Sequence, residues 1–373
     1  MKRGLRALLT ATTVLAVIAT PAAAIAVPAK PDRAELQSGL DEVVAVSAVG
    51  ALAEVRDEQG VWRSTSGVAE RGTTRPVAVN NRFRAGSITK TFLATVVLQL
   101  ADEDRLRLDD TVGAWLPGVV PNGHRITVRH LLNHTSGVPD YRPTLILPPE
   151  PGFLENRWRT WTAAELIQRA VATPPTFQPP GSAFAYSNTN YLLLGQIVEK
   201  ATRHSYGEEI ERRVIRPLHL HGTSMPGTDR KIRGPHLNGY VPIRYNDNEA
   251  PQLVDFTAMN PSLFGAGGEL ISTTKDLNRF FKALLTGDLL PPHLLDEMKT
   301  PGTKNGTYGL GLAWRDTTCG PRIYGNDGDA VSYQSYAFTT EDGHHQAAIA
   351  LTPDFRTNPD KTVDKLLDKA FCP

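Results

Sequence analysis

The sequence predicts an α/β (α+β) protein: one sheet assembled from both ends of the chain, flanked by helices, beside a mostly helical lobe. Three observations predict it. Runs rich in β-branched residues lie near the N-terminus, over 43–55 and 61–68, and return from Tyr308 onward. Between about 105 and 276, helical stretches alternate with Pro- and Gly-rich loops. A run over 88–101, with Phe92, Leu93, Val96, Val97 and Leu100, is apolar almost all round, and a helix of that kind belongs in the interior. Strands at both ends with helices between place a ligand cleft where the two lobes meet.

Taken in order, Lys2, Arg3 and Arg6 precede a short apolar stretch, Ala7–Thr20, and small residues at Ala22, Ala24 and Ala26. This is the pattern of a secretory signal peptide over 1–26, so the protein is expected to be secreted. Residues 27–40, rich in Ala, Pro and charge, read as a linker leading into a first helix. Asp57-Glu58-Gln59-Gly60 separates the first two β-rich runs as a hairpin signal. The sheet lobe is expected over 41–104 together with 277–373, and the helical lobe over 105–276. Helices are expected over 163–172 and 191–202, strands over 310–314, 322–324, 333–339 and 346–351, and a last amphipathic helix over 363–371.

The 373 residues carry 40 basic and 39 acidic side chains, a formal net charge of +1. No basic run interleaved with aromatics stands out, so nucleic-acid binding is not expected. After the signal no segment holds about 18 uninterrupted apolar residues, so no stable membrane span is expected. Cys319 and Cys372 are the only cysteines. In an exported chain an even count predicts a bridge, with two unpaired thiols as the alternative. No metal-ligand spacing accompanies them, so neither a metal nor another cofactor is expected.

Three clusters carry the chemistry. Ser87-Ile88-Thr89-Lys90 opens the interior helix. Positions i and i+3 share a face, so the Lys90 amine can approach the Ser87 hydroxyl. A serine needs a base, and burial can hold part of a lysine neutral to serve as one. The same pattern recurs at Ser272-Thr273-Thr274-Lys275, which reads as an ordinary helix cap. Tyr186-Ser187-Asn188 offers a phenol for proton relay and an amide to hold a substrate carbonyl, or else a polar turn. Tyr324-Gly325-Asn326-Asp327-Gly328-Asp329 reads by composition as a hairpin turn. His134 reads as a packing or turn residue, and Trp158 and Trp161 as packing residues.

In this order and context the sequence resembles serine β-lactamases of the class C type, and most closely secreted actinobacterial D-alanyl-D-alanine carboxypeptidases. The resemblance rests on Phe83-Arg84-Ala85-Gly86-Ser87-Ile88-Thr89-Lys90, on 126–137 (Ile-Thr-Val-Arg-His-Leu-Leu-Asn-His-Thr-Ser-Gly), on Tyr186-Ser187-Asn188-Thr189-Asn190, on Tyr308-Gly309-Leu310-Gly311-Leu312 and on both cysteines. It implies a β-lactamase/DD-peptidase-like fold with an antiparallel sheet, and an acyl-enzyme mechanism. In that mechanism Ser87 is the nucleophile, Lys90 and Tyr186 move protons, and Asn188 orients the substrate amide. The backbone N–H groups of Ser87 and Asp329 form the oxyanion hole. Which of Lys90 and Tyr186 is the first base stays open. The implied partners are small molecules or peptides: a peptidoglycan stem peptide, a β-lactam, an ester or an amide. The working form is expected to be a monomer.

Two departures alter the expected specificity. The family's third motif reads His-Thr-Gly or Lys-Thr-Gly, whereas this chain has Asn326-Asp327-Gly328. Relatives place an arginine where this chain has Ala313. A carboxylate pocket would thus lose its cation and gain Asp327, beside Asp329. Two like charges about 4 Å apart repel by roughly 4 kcal/mol at an effective dielectric near 20, about a thousandfold in binding. A free C-terminal carboxylate is then a poor substrate. An ester, an amide, or a D-aminoacyl compound whose ammonium meets Asp327 fits better, and a slow or inactive penicillin-binding protein is the third reading. Arg315 is the neighbouring cation that could restore charge by turning inward.

Overall fold

The computed structural model describes residues 32–372, so the expected signal peptide and the first part of the linker lie outside the described residues. The strands are β1 (Ala48–Asp57), β2 (Gly60–Gly67), β3 (Phe83–Arg84), β4 (Tyr240–Ile243), β5 (Gln252–Asp255), β6 (Ile271–Ser272), β7 (Ala313–Asp316), β8 (Arg322–Asp329), β9 (Gln334–Thr340) and β10 (Gln346–Pro353). The helices are α1 (Arg33–Ser47), α2 (Ile88–Asp102), α3 (Val112–Trp115), α4 (Val128–Leu132), α5 (Ala163–Val171), α6 (Asn188–Thr202), α7 (Tyr206–Ile210), α8 (Thr274–Leu285), α9 (Pro292–Lys299) and α10 (Asp360–Phe371). Short 3-10 turns and one π turn join them.

The main sheet has the order β2-β1-β10-β9-β8-β7 and every neighbouring pair is antiparallel. The first two strands thus pair with the last four, as the two β-rich ends of the sequence required. Alternation along each strand sends side chains to two faces. Ala51, Phe338, Ile349 and Leu351 pack with Leu36, Leu40 and Leu366 of α1 and α10. Leu52, Ala337 and Ala348 join the larger core around α2, α6 and α8. Helix α2 is the interior helix: Phe92, Leu93, Val96, Val97 and Leu100 are fully buried, and Phe92 stacks on Phe280 of α8 at 3.7 Å.

The structure corrects four expectations. The segment read as linker up to residue 40 is already helical from Arg33. Asp32 caps it by accepting from the Ala34 N–H at 2.8 Å, and Leu36, Leu40 and Val43 form a buried stripe at i, i+4 and i+7. The same helix takes Val43–Ser47 out of the expected first strand. Asn326–Asp329, read by composition as a hairpin turn, is the second half of β8 and pairs with 334–337 of β9. Its glycine explains the difference. A Cβ on Gly328 would collide with the Ala85 carbonyl, so the residue marks a close backbone approach inside a strand rather than a turn. The strand expected over 310–314 begins only at Ala313. The decoy Ser-Thr-Thr-Lys is a cap, as expected: the Thr273 side chain accepts from the Asp276 N–H at the start of α8.

Cys319 and Cys372 are bridged with Cα atoms 5.6 Å apart, tying the β7–β8 turn to the end of α10. Among the described residues no helix is long and apolar enough to cross a membrane.

Candidate active site

Gly86 adopts φ +53°, a left-handed turn that delivers the chain from β3 into α2. Ser87 follows as the N-cap of α2, but its hydroxyl makes no capping bond. It faces instead a lysine and a tyrosine. Lys90 Nζ lies 2.9 Å from Ser87 Oγ, and the Tyr186 hydroxyl donates to the same oxygen at 2.7 Å. The three groups expected to act together are in mutual contact.

Lys90 is completely buried. Its amine also contacts Asn188 Oδ1 at 2.9 Å and the Gly267 carbonyl at 2.5 Å. Loss of hydration lowers its pKa to about 7, against the opposing pull of Asp140 and Asp327. Of its three neighbours, two are oxygens that can only accept. The Ser87 hydroxyl alone can reverse its role. A neutral Lys90 therefore keeps two N–H donors on Asn188 and Gly267 and turns its lone pair on Ser87, the arrangement of a general base.

Tyr186 stands before α6 with about two fifths of its surface open to the cleft. Its phenol is nevertheless hemmed in by protein, and desolvation, with Tyr308 next in weight, pushes its pKa well above the ordinary value. At neutral pH it is a proton donor to Ser87 Oγ. Burial thus moves the lysine down and the phenol up.

Asn188 opens α6. Its Oδ1 faces Lys90 and its Nδ2 donates to Asp140 Oδ2 at 3.0 Å, while Asp140 Oδ1 accepts from the Asn188 backbone N–H at 3.3 Å. The amide expected to orient substrate is thus first of all locked between a base and a carboxylate, with one N–H left over. Sequence reading missed Asp140, because its partners lie 48 residues away. It also understated His134. That residue is fully buried at φ +58°, and its ring lies 4.3 Å from the Tyr186 ring. Its Nδ1 accepts from the Ser187 N–H at 3.2 Å and meets Asn190 Nδ2 at 3.1 Å. A backbone N–H can only donate, so the ring proton resides on Nε2. Burial, then Lys90, holds the ring neutral by lowering its pKa well below the usual value.

The β8 residues divide. Asn326 is buried and donates to Thr91 Oγ1 at 3.1 Å, fastening β8 to α2. Gly328 permits the close approach to Ala85 described above. A Cβ on Gly86 would lie 2.7 Å from the Asp329 backbone nitrogen, which brings that backbone alongside Ser87, where the oxyanion hole was expected. The Asp329 carboxylate is occupied elsewhere, accepting from the Val331 N–H at 2.6 Å. Asp327 is exposed. Arg315 Nη2 stands 3.6 Å from its carboxylate and also pairs with Asp364 of α10. The cation considered in the sequence does meet Asp327, and the unopposed negative charge expected there is shared. Among the described residues no group of three or more His, Cys, Asp or Glu is placed to hold a metal ion.

Known proteins share this framework. A D-stereospecific amidohydrolase from Streptomyces sp. superposes with a TM-score of 0.80 at 41% identity, over 90% of this chain and 98% of that one. A D-amino acid amidase from Ochrobactrum anthropi SV3 gives a TM-score of 0.77 at 25% identity, over 90% and 96%. Penicillin-binding protein 4 of Amycolatopsis lactamdurans is 29% identical over 246 residues, which is 65% of this chain and 61% of that protein. The chain spans less than two thirds of the length of the first curated relatives it matches. The beta-lactamase family profile matches residues 40–370. With that match over most of its length, and with a serine, a buried lysine and a tyrosine converging at the mouth of its interior helix, the chain belongs to the beta-lactamase family.

Proposed function

We propose that this chain is an exported amidohydrolase that forms an acyl-enzyme on Ser87 and prefers D-aminoacyl amides, or short peptides beginning with a D-residue, to substrates ending in a free carboxylate. The observation that carries this reading is the charge around the nucleophile. Two acids, Asp140 and Asp327, act on the Lys90 amine against Arg142, with Arg315 sharing part of the charge of Asp327. A substrate ammonium is attracted by that balance and a carboxylate is repelled. Likeness to a D-stereospecific amidohydrolase over nearly the whole chain supports the same class.

Neutral Lys90 takes the Ser87 proton as Oγ attacks the substrate carbonyl carbon. The backbone N–H groups of Ser87 and Asp329 receive the oxyanion. The C–N bond then breaks, and the Tyr186 phenol supplies the proton that the departing amine requires. Water hydrolyses the ester on Ser87 by the reverse proton path, releasing the acid. Export by the N-terminal signal and a monomeric working form complete the proposal.

Initial rates on D-phenylalaninamide, its L-enantiomer, and a D-Ala-D-Ala peptide with free and amidated C-termini test it. The D-amide should be turned over fastest, and Ser87→Ala should abolish turnover. Faster hydrolysis of the free acid would instead favour a carboxypeptidase. A stable β-lactam adduct without turnover of any substrate would mark a penicillin-capturing protein.

A further inference from the structure

On the helical lobe, a cavity of about 360 Å³ lies between α5, α6, α7 and the Gly265–Gly267 turn, lined by Trp161, Leu192, Glu199, Tyr206, Ala266 and Glu269 among others. Neither Ser87, Lys90 nor Tyr186 belongs to its wall. Its size is that of a small-molecule pocket.

Two of its polar groups are buried without a partner among the described residues: Trp161 Nε1 and Glu269 Oε2. Their side chains belong to residues only 5% and 2% exposed. The Tyr206 hydroxyl donates to the other Glu269 oxygen at 2.8 Å, which leaves Oε2 free to accept. Arg159 and Arg169 stand over the ring of Trp161, and neither lines the cavity; no lysine or arginine does. Glu199, half-buried, adds a second carboxyl. A buried donor or acceptor left unmade is costly, and here one of each shares a single cavity.

We propose that this cavity is a second binding site, for a small protonated amine that also carries a carbonyl. The ammonium is held by Glu269 and Glu199, the carbonyl accepts from the Trp161 indole N–H, and a short apolar body rests on Leu192 and Ala266. Burial raises the Glu269 carboxyl to about 7, opposed by the Tyr206 hydrogen bond, by the nearby Gly227 backbone N–H and by the more distant charge of Arg84, and also raises that of Glu199. An arriving cation repays such desolvation, whereas an anion compounds it. The site does not depend on the identity of the substrate acylating Ser87. Its floor is nonetheless the turn whose Gly267 carbonyl touches Lys90.

The test is a titration of the full chain bearing Ser87→Ala, so that no turnover occurs, with indole nitrogens labelled for NMR and L-phenylalaninamide as probe. Trp161→Phe identifies the Trp161 resonance. That resonance should shift saturably. Glu269→Gln should weaken the apparent affinity by about tenfold or more, the loss of one charge-assisted contact. N-acetylphenylalaninamide, which lacks the ammonium, should bind correspondingly worse. A Trp161 signal that stays still at millimolar probe overturns the proposal, as does an equal response in Glu269→Gln. Should that variant not fold, equal binding of the acetylated probe overturns it as well. Failure here leaves the rate measurements on Ser87 untouched.

Discussion

His134 lies beneath Tyr186, ring on ring at 4.3 Å, and holds the Ser187 N–H through Nδ1. One imidazole therefore fixes both the plane of the phenol and the backbone that carries it. Its Nε2 has no partner among the described residues. Asn tolerates the left-handed backbone at this position better than most residues. His134→Asn should therefore fold, lower kcat by about 10–100-fold through a loosened phenol, and leave KM nearly unchanged. An equal rise in KM would show that the residue shapes the substrate pocket instead.

As the proposed general base, Lys90 should set the acid limb of the pH profile. With its pKa lowered to about 7 by burial, the amine is protonated and inactive as a base below that value and becomes competent above it. kcat/KM should therefore rise through pH 7 and level off above pH 8. Tyr186, shifted upward, contributes no descending limb before strongly alkaline pH. A profile already flat at pH 5 would assign proton abstraction to another group.

The same shift is a statement about stability. Between the folded pKa near 7 and the unfolded value of 10.5, the unfolded chain binds more protons at this lysine than the folded one. The contribution of Lys90 to folding stability therefore improves as pH rises across that window. Below pH 7 its buried charge costs on the order of several kcal/mol. Lys90→Met should raise the melting temperature at pH 6 relative to the native chain, and the gain should shrink towards pH 10. The test is a pair of thermal melts at the two pH values, and a pH-independent difference would refute the assignment.

What the sequence disclosed and what it hid follow from one distinction. Ser87 and Lys90 were legible because three residues of one helix fix their spacing, and an all-apolar helix announces its own burial. Tyr186 came from its motif. Asp140 and His134 were hidden because their meaning arises only when the 133–141 segment wraps the start of α6, with Ser136 Oγ on Asn190 and Tyr141 N–H on Thr189. Asn326–Asp329 misled for the opposite reason. Asn, Asp and Gly favour turns locally, but pairing with β9 and the approach of Ala85 override that preference. Arg315 was legible as a cation near Asp327, but whether its side chain reaches that carboxylate depends on the fold and is not written in local composition.

Under the proposed function, Arg315 should moderate the substrate preference through Asp327. Removing it in Arg315→Ala leaves the carboxylate unopposed, which should widen the preference for an amide bearing an ammonium over a free acid. Asp327→Thr should narrow it. The expected change is about 3–10-fold in the ratio of kcat/KM values, because the ion pair is partly exposed and screened. Raising the salt concentration should shrink both effects. Ratios unmoved by either variant would remove Asp327 from the recognition of substrate.

The disulfide has a separate and measurable role. It closes a loop of 53 residues between the β7–β8 turn and the C-terminal end of α10, and constraint of the unfolded chain over that span amounts to about 4 kcal/mol. Helix α10 covers one face of the sheet with Val363, Leu366, Leu367 and Phe371, and through Asp364 it carries Arg315. Loss of the bridge should therefore act in two places. The double variant Cys319→Ala with Cys372→Ala should melt several degrees lower, and at temperatures where it remains folded it should retain the Ser87 acylation rate, since α2, whose N-cap is Ser87, packs in a different core from α10. Substrate preference should drift in the direction of Arg315→Ala only if fraying of α10 releases Arg315. Acylation and melting measured on the same samples separate the two effects, and a loss of acylation at low temperature would show that the outer helix supports the nucleophile directly.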